Sequence, residues 1–254
     1  NLLPEAIAAY DEAIALFAQS GLIFEQAQAL LHKALAQIKR RQIIAAVALL
    51  DAAEALFAQI GNQVWQAIVT LHRVGLQTRP VSAAALAQVQ AAIALFNSRG
   101  LALREAEALL LLAELTLAAG DGLAAQGLWT TVQQMAGDLG VRQLLYQAQH
   151  GLARCAEQAG HADQARTYYR AALTSLNNLR GTLPTETFRT AFLADKLTVY
   201  ENYVRFCLVQ GDPAWQQEAF QVIEAAKSRA LLDLLLGTLP APGTASAPAE
   251  APAP

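Results

Sequence analysis

The sequence is poor in cysteine and in charge. Its two cysteines, Cys155 and Cys207, lie far apart, so no closely spaced disulfide or metal-binding framework is visible and we expect two buried thiols. Lysine and arginine number 18, aspartate and glutamate 21, and the formal net charge is −3. Because sequence-independent nucleic-acid binding needs a basic face, this charge balance argues against a nucleic-acid partner.

Long uninterrupted apolar runs are also missing. The most apolar stretch, 106–120, contains Glu107 and Glu114, and no charged segment followed by an apolar one begins the chain. These features predict neither a membrane span nor a membrane partner, and a cytoplasmic setting is the expectation. The first helix, which we expect to start at Pro4, has no predicted partner before it, which suggests a fragment of a longer protein.

What the sequence does contain is a repeated helical motif: a small residue, a larger residue four positions later, and a compact residue three positions after that. In 161–173 these residues are Ala165, Tyr169 and Ala172, which share one helical face. The motif recurs from Ala6, Ala46, Ala85 and Ala125 at intervals of 39 or 40 residues, and from Ala219 after a longer interval. A fixed period of this length predicts stacked helical units, and the longer last interval predicts an insertion.

Glycines and a second set of helices follow the same period. Glycine recurs at positions 21, 61, 100 and 140, where it can provide the left-handed cap that ends a helix. Each glycine precedes a partner helix that carries one small or compact residue, and these residues are Ala34, Val74, Ala113 and Ala153. The predicted fold is all-α, a right-handed superhelical solenoid of antiparallel helix pairs with repeats of about 40 residues.

The predicted repeat domain spans residues 1–236. It consists of an unpaired helix at 4–19 and pairs at about 24–59, 64–98, 103–138, 142–178 and 185–236. Residues 237–254 are rich in proline and alanine and have almost no bulky side chains. They cannot bury enough apolar surface to fold, so we predict a disordered linker or tail.

The repeat pattern resembles a known family. A small residue in the first helix, a Gly-Asp type of turn, and Ala-x3-aromatic-x2-Ala in the second helix are similar to the tetratricopeptide repeat (TPR), with each helix lengthened by a turn. The period alone also fits HEAT repeats, which remain the alternative, whereas armadillo units need a third helix for which there is no room.

A narrower resemblance covers about 50 residues near the C-terminus. The segments 193–201 and 219–235, which include Ala226-Lys227-Ser228-Arg229-Ala230-Leu231-Leu232, resemble the last repeat of TPR proteins that continue into a CHAT domain, a caspase-like peptidase. The resemblance implies a linker and then a protease whose catalytic histidine and cysteine lie on an α/β domain. No such pair is present here, since Cys155 and His150 are five residues apart and do not share a helical face.

We therefore expect no catalytic residue, cofactor or metal in these residues. His32 and His72 occupy equivalent repeat positions, but no carboxylate or cysteine shares their spacing, so we interpret them as surface histidines. The expected function is a non-catalytic protein–protein interaction scaffold that precedes a CHAT-type protease domain. The alternative is a TPR signal-sensing module of a bacterial transcriptional regulator or another adaptor.

Two binding surfaces follow from this interpretation. A protein or peptide is expected in the concave groove lined by the first helix of each pair, with candidate residues Gln28, Leu31, Leu71, Glu107, Glu114, His150, Arg154, Glu157, Glu201 and Arg205. The last helix has almost no polar face near its end, so a downstream domain or a second chain is expected to dock there, on Lys227, Arg229, Leu231, Leu232 and Leu235.

Overall fold

The structure is a computed structural model that describes residues 3–77, 82–182 and 196–238, with only the backbone described for 227–238. The described residues form eleven α-helices. By contacts between Cα atoms, the chain divides into two compact units, Asn1–Ala172 and Leu173–Pro254. Among the described residues, no helix combines the length and the apolar character that crossing a bilayer requires.

The helices of the first unit repeat at the predicted interval. The A helices, which come first in each pair, begin at residues 23, 63, 102 and 142, and the B helices begin at residues 3, 43, 83, 122 and 162. The A helices are α2 (Ile23–Lys39), α4 (Gln63–Gly75), α6 (Ala102–Ala118) and α8 (Arg142–Gln158). The B helices are α1 (Leu3–Gln19), α3 (Ile43–Gln59), α5 (Ala83–Ser98), α7 (Gly122–Asp138) and α9 (Ala162–Gly181), and the last of these continues into the second unit.

The turns between pairs are built around the predicted glycines. Gly21, Gly61, Gly100 and Gly140 all have φ between 65° and 68°. After α3, the N–H of Gly61 donates to the Ala58 carbonyl, and the N–H of Asn62 donates to the Phe57 carbonyl at 2.9 Å. These two bonds satisfy the last carbonyls of the helix in the Schellman arrangement, which needs a left-handed residue at the glycine position. The predicted glycine caps are confirmed.

The repeated motif is the core of the first unit. Its first, second and third positions in α3, α5, α7 and α9 are at most 3% exposed, and Ala34, Val74, Ala113 and Ala153 of the A helices are at most 1% exposed. Small residues at these places let neighbouring helices approach closely, while the larger middle residue fills the space between them. The all-α fold of repeated helix pairs is therefore confirmed.

Direct contacts between A helices join α4, α6 and α8. α6 contacts both of the others. The surface of the A helices that is not covered by B helices is called the A face below.

The second unit contains the end of α9 and two further helices, α10 (Leu197–Gln210) and α11 (Pro213–Thr238). Gly211, with φ 73°, ends α10, and the rings of Phe206 and Trp215 meet edge to face at 5.5 Å across the turn. The described part of the predicted helix pair at 185–236 is thus helical. Residues 183–195 and 239–254 lie outside the described residues. The helix α11 ends at Thr238, so the first two residues of the predicted disordered tail, 237–238, are helical instead.

Candidate functional site

All the predicted groove residues of the first unit except Leu31 retain some solvent exposure. Glu107 is exposed. The residues that are partly buried are Gln28, Leu71, Glu114, His150, Arg154 and Glu157. Side chains of this kind can contact a partner without rearrangement of the helices, because part of each side chain is already exposed to solvent.

Leu31 requires a correction, because sequence spacing placed it in the groove and the structure buries it. It is 2% exposed and belongs to a core cluster that also contains Leu50, Phe57 and Val69. An A helix is covered by B helices on both sides, so its apolar surface is wider than a single stripe and includes position 31. Leu31 therefore supports the fold and does not line the A face.

Glu114 and Arg154 form an ion pair between two neighbouring A helices. The Arg154 Nη1 atom lies 2.8 Å from both carboxylate oxygens of Glu114, and the two side chains are 28% and 26% exposed. The residues are 40 positions apart and occupy equivalent places in α6 and α8. An incoming carboxylate would have to share Arg154 with Glu114, so this part of the A face presents a paired charge.

Next to this pair lies a cluster made by α8 and α9. The Tyr169 hydroxyl donates to Glu157 Oε2 at 2.6 Å, and the ring centroids of Tyr169 and His150 are 6.0 Å apart. Burial lowers the pKa of His150 to about 4, and the positive charge of Arg154 acts in the same direction. At neutral pH His150 is therefore an uncharged imidazole packed near the Tyr169 ring, whose hydroxyl is bonded to Glu157.

The other end of the A face carries His72, Arg104 and Glu107. Arg104 Nη1 and Glu107 Oε2 are 2.8 Å apart on one face of α6. Burial lowers the pKa of His72, and the Glu107 carboxylate opposes this effect while Arg104 and His32 reinforce it. His72 is only partly exposed, whereas His32 is exposed and its ring stacks on Tyr10 at 6.1 Å. The prediction of surface histidines fits His32 better than His72.

Sequence reasoning missed one charged cluster of the first unit. Arg73 forms ion pairs with Asp51, at 2.9 Å, and with Glu54, and so joins α4 to α3. The signal was present in the sequence, since Asp51 and Glu54 are three residues apart and share one side of a helix. The two acidic residues lie among alanines in a helix that was interpreted mainly as part of the core, so the cluster was not predicted.

The remaining predicted residues belong to the second unit. Glu201 and Arg205 are exposed on α10, four residues apart. The side chains predicted to dock a downstream domain lie outside the described residues, although their backbone belongs to α11, and they are Lys227, Arg229, Leu231, Leu232 and Leu235.

Both cysteines are buried, as predicted. Burial raises the pKa of the Cys155 thiol to about 11, so this group is a thiol and not a nucleophilic thiolate at neutral pH. No group of three or more histidine, cysteine, aspartate or glutamate side chains suited to a metal ion occurs among the described residues. The chemistry that the A face offers is recognition through hydrogen bonds, paired charges and partly buried apolar surface.

An all-α array of sequentially packed helix pairs defines a helical repeat protein. No family model matches the chain, and no curated protein matches its sequence. Among solved structures, the chain is similar to the crystal structure of BtubC (BKLC) from P. vanneervenii, with a TM-score of 0.60, 16% sequence identity and 100% of each chain covered. At this identity the likeness shows the fold alone.

Proposed function

We propose that the protein is a non-catalytic scaffold of the tetratricopeptide type whose A face binds a protein or peptide. The observation that carries the proposal is that partly exposed Leu71, Glu114, His150 and Arg154 lie on α4, α6 and α8, three successive A helices joined by direct contacts. Such a surface can follow an extended or helical peptide over several repeats. The setting we propose is cytoplasmic.

The resemblance near the C-terminus extends this proposal to regulation. We propose that partner binding on the A face is passed through the last helix pair to a CHAT-type peptidase domain. The sequence that follows these repeats in the natural protein tests this part. A strand-rich segment with a catalytic histidine and cysteine supports it, and a helix-turn-helix domain contradicts it.

Peptide selection tests the binding function directly. Random peptides displayed on phage would be selected against the purified chain, and the affinity of enriched peptides measured by fluorescence anisotropy. We expect Leu71→Lys and Glu107→Lys each to weaken binding at least tenfold, because they alter two neighbouring A helices. Circular dichroism would check that both variants remain folded.

The matched control is Gln88→Lys, which adds the same side chain at an exposed position of the B helix α5. Its affinity for the selected peptides should equal that of the unchanged chain. Equal losses in all three variants, or no loss in any, would show that the peptides bind elsewhere and would contradict the proposal.

A further inference from the structure

Helix α1 is a B helix with one side unpartnered in the first unit. It has no buried residue along Leu3–Gln19, although it carries the same motif as the other B helices. Its motif residues Ala6, Tyr10 and Ala13, and Phe17 after them, are only partly buried. Each of the equivalent residues in α3, α5, α7 and α9 is at most 3% exposed.

Leu16 shows the same difference. It is 61% exposed, whereas Leu56 and Leu95, which occupy the equivalent positions in α3 and α5, are partly buried. α1 packs on α2, with the Tyr10 ring stacked on His32 and Asp11 paired with Lys33. α1 therefore lacks the contact with a preceding A helix that α3, α5, α7 and α9 each make.

The repeat itself indicates what covers such a surface. α3, α5 and α7 each pack against the A helix before them and the A helix after them, and their motif residues are buried. In the next pair, α8 and α9, Tyr169 of α9 is fully buried and its hydroxyl bonds to Glu157 of α8. Tyr10 is the residue of α1 equivalent to Tyr169, so the α8–α9 contact is the closest guide to what α1 accepts.

We propose that α1 is a docking surface for one further A-type helix, supplied by polypeptide outside these 254 residues. The helix would be amphipathic, with small residues spaced like Ala148 and Ala153 of α8 and an acceptor for the Tyr10 hydroxyl in the place of Glu157. This surface is distinct from the A face, and the inference does not depend on the proposed function.

A second copy of this chain does not provide such a helix. In the described structure α2, α4 and α6 each contact a B helix on both sides, α8 contacts α7 and meets Tyr169 of α9, and α10 is paired with α11. An A helix of a second copy would therefore have to leave its own core to cover α1, and the burial lost would equal the burial gained.

A fusion protein tests the inference. A copy of residues 142–161, which is α8 with its turn, would replace Asn1 and Leu2, because α9 begins at Ala162 as α1 begins at Leu3. We expect amide hydrogen exchange in α1 to become at least tenfold slower than in the unmodified chain, with the slowing centred on Tyr10 to Phe17. Covering an apolar helix face makes local opening of that helix less favourable.

The matched control is the same fusion with Ala148→Lys and Ala153→Lys in the added copy only, which leaves the native repeats unchanged. In this control, the amide hydrogens of α1 should exchange as fast as they do in the unmodified chain. Equal protection by both fusions would show that added length and not the helical face is responsible, and would overturn the inference. An unmodified chain that sediments as a dimer with a protected α1 would overturn it as well, because the occupant would be a second copy.

Discussion

At the scale of single residues, Gly151 is the described glycine with the least space for a side chain. A Cβ atom added there would lie inside van der Waals contact with the indole ring of Trp129, which is 1% exposed. We predict that Gly151→Ala lowers the free energy of unfolding by about 1–3 kcal/mol, the usual cost of overpacking a core. Urea denaturation followed by circular dichroism would measure it.

The chain offers a matched control for this substitution. Gly127 lies within α7 and has nothing within 4 Å of an added Cβ atom, so Gly127→Ala should raise stability by about 0.5–1 kcal/mol through helix propensity alone. Gly151→Ala should also become favourable in a Trp129→Leu background, since leucine occupies the equivalent position 50 of α3. Destabilisation that persists in this background would contradict the steric explanation.

His150 gives the stability of the protein a pH dependence. Its pKa is lowered to about 4 in the folded chain from an ordinary value of 6.5, so the unfolded chain binds the proton more tightly. The stability that His150 contributes through this shift is fully present above pH 6.5, and it is lost as the pH falls from 6.5 towards 4. We predict that unfolding at pH 5 costs about 2 kcal/mol less than at pH 7.5 because of this residue.

Comparison with His150→Gln isolates this effect, because carboxylates and His72 titrate in both proteins. The difference between the two proteins in the pH dependence of the unfolding free energy should equal the predicted loss. A proton resonance of His150 that titrates near 6.5 in the folded protein would contradict the prediction.

Arg41 is the described non-glycine residue with a left-handed backbone, at φ 60°. Gly120 and Gly160 occupy the equivalent turn positions of later repeats, with φ 92° and 74°. The left-handed conformation costs a non-glycine residue about 1–2 kcal/mol. Glycine removes this cost, but it also makes the unfolded chain more flexible, which offsets part of the gain in stability. We predict that Arg41→Gly raises the free energy of unfolding by up to about 1 kcal/mol. This gain would raise the thermal midpoint by a few degrees.

The neighbouring exposed residue provides the control. Arg40 is the C-cap residue directly after α2 and has φ −81°, where glycine has no conformational advantage. Arg40→Gly should therefore leave the midpoint unchanged or lower it. An equal gain from both substitutions would point to the removal of positive charge and would contradict the conformational argument.

Individual residues were predictable from the sequence where the repeat constrained them. The small and large motif positions of α3, α5, α7 and α9 were assigned correctly because the motif recurs along the chain, and each copy supports the others. Leu31 was assigned to the wrong surface, since spacing along one helix does not show that B helices cover it on both sides. The His150, Tyr169 and Glu157 cluster depends on how α8 and α9 approach each other, which no local pattern records.

At the scale of helices, the beginnings of α4, α5 and α7 are fixed by side-chain caps. The Asp121 carboxylate accepts the N–H of Ala124 at 3.0 Å and lies at the positive end of α7. We predict that Asp121→Ala lowers the free energy of unfolding by about 1 kcal/mol. Chemical denaturation of the two proteins at the same pH measures this difference.

Gln42 precedes α3 at the corresponding position, but its side chain makes no capping hydrogen bond. Gln42→Ala should therefore change stability by no more than about 0.5 kcal/mol. If the two substitutions cost the same, the Asp121 cap contributes nothing specific to α7.

Helix boundaries were predictable to within a few residues because glycines and caps mark them locally. The glycines at 21, 61, 100 and 140 all adopt the left-handed conformation that the sequence predicted. The incomplete cover of α1 was visible in the sequence only as a missing partner, and the structure adds which side of the helix is open.

At the scale of the whole molecule, the regular period makes one repeat removable. Deleting 63–101 removes α4 and α5 and joins Asn62 to Ala102, so that α6 follows α3 at the position where α4 followed it. Since each pair contacts mainly its neighbours, we predict that the shortened chain keeps its helical fraction and unfolds cooperatively, with a lower midpoint. Far-ultraviolet circular dichroism during thermal unfolding measures both quantities.

The control deletion removes 63–81 and with it only α4, which places two B helices next to each other. This protein should lose helix or aggregate, because the motif of α5 would have no A helix before it. Similar behaviour of the two deletions would show that the order of A and B helices does not matter.

The ion pair of Glu114 and Arg154 also limits how such an array can evolve. The two residues occupy the same position of successive repeats and have opposite charge, so a tandem copy of either repeat would place two carboxylates or two guanidinium groups together. The two repeats are therefore not interchangeable at this position. The pair specifies the order of its repeats as well as joining them, and it disfavours unequal recombination between these two units.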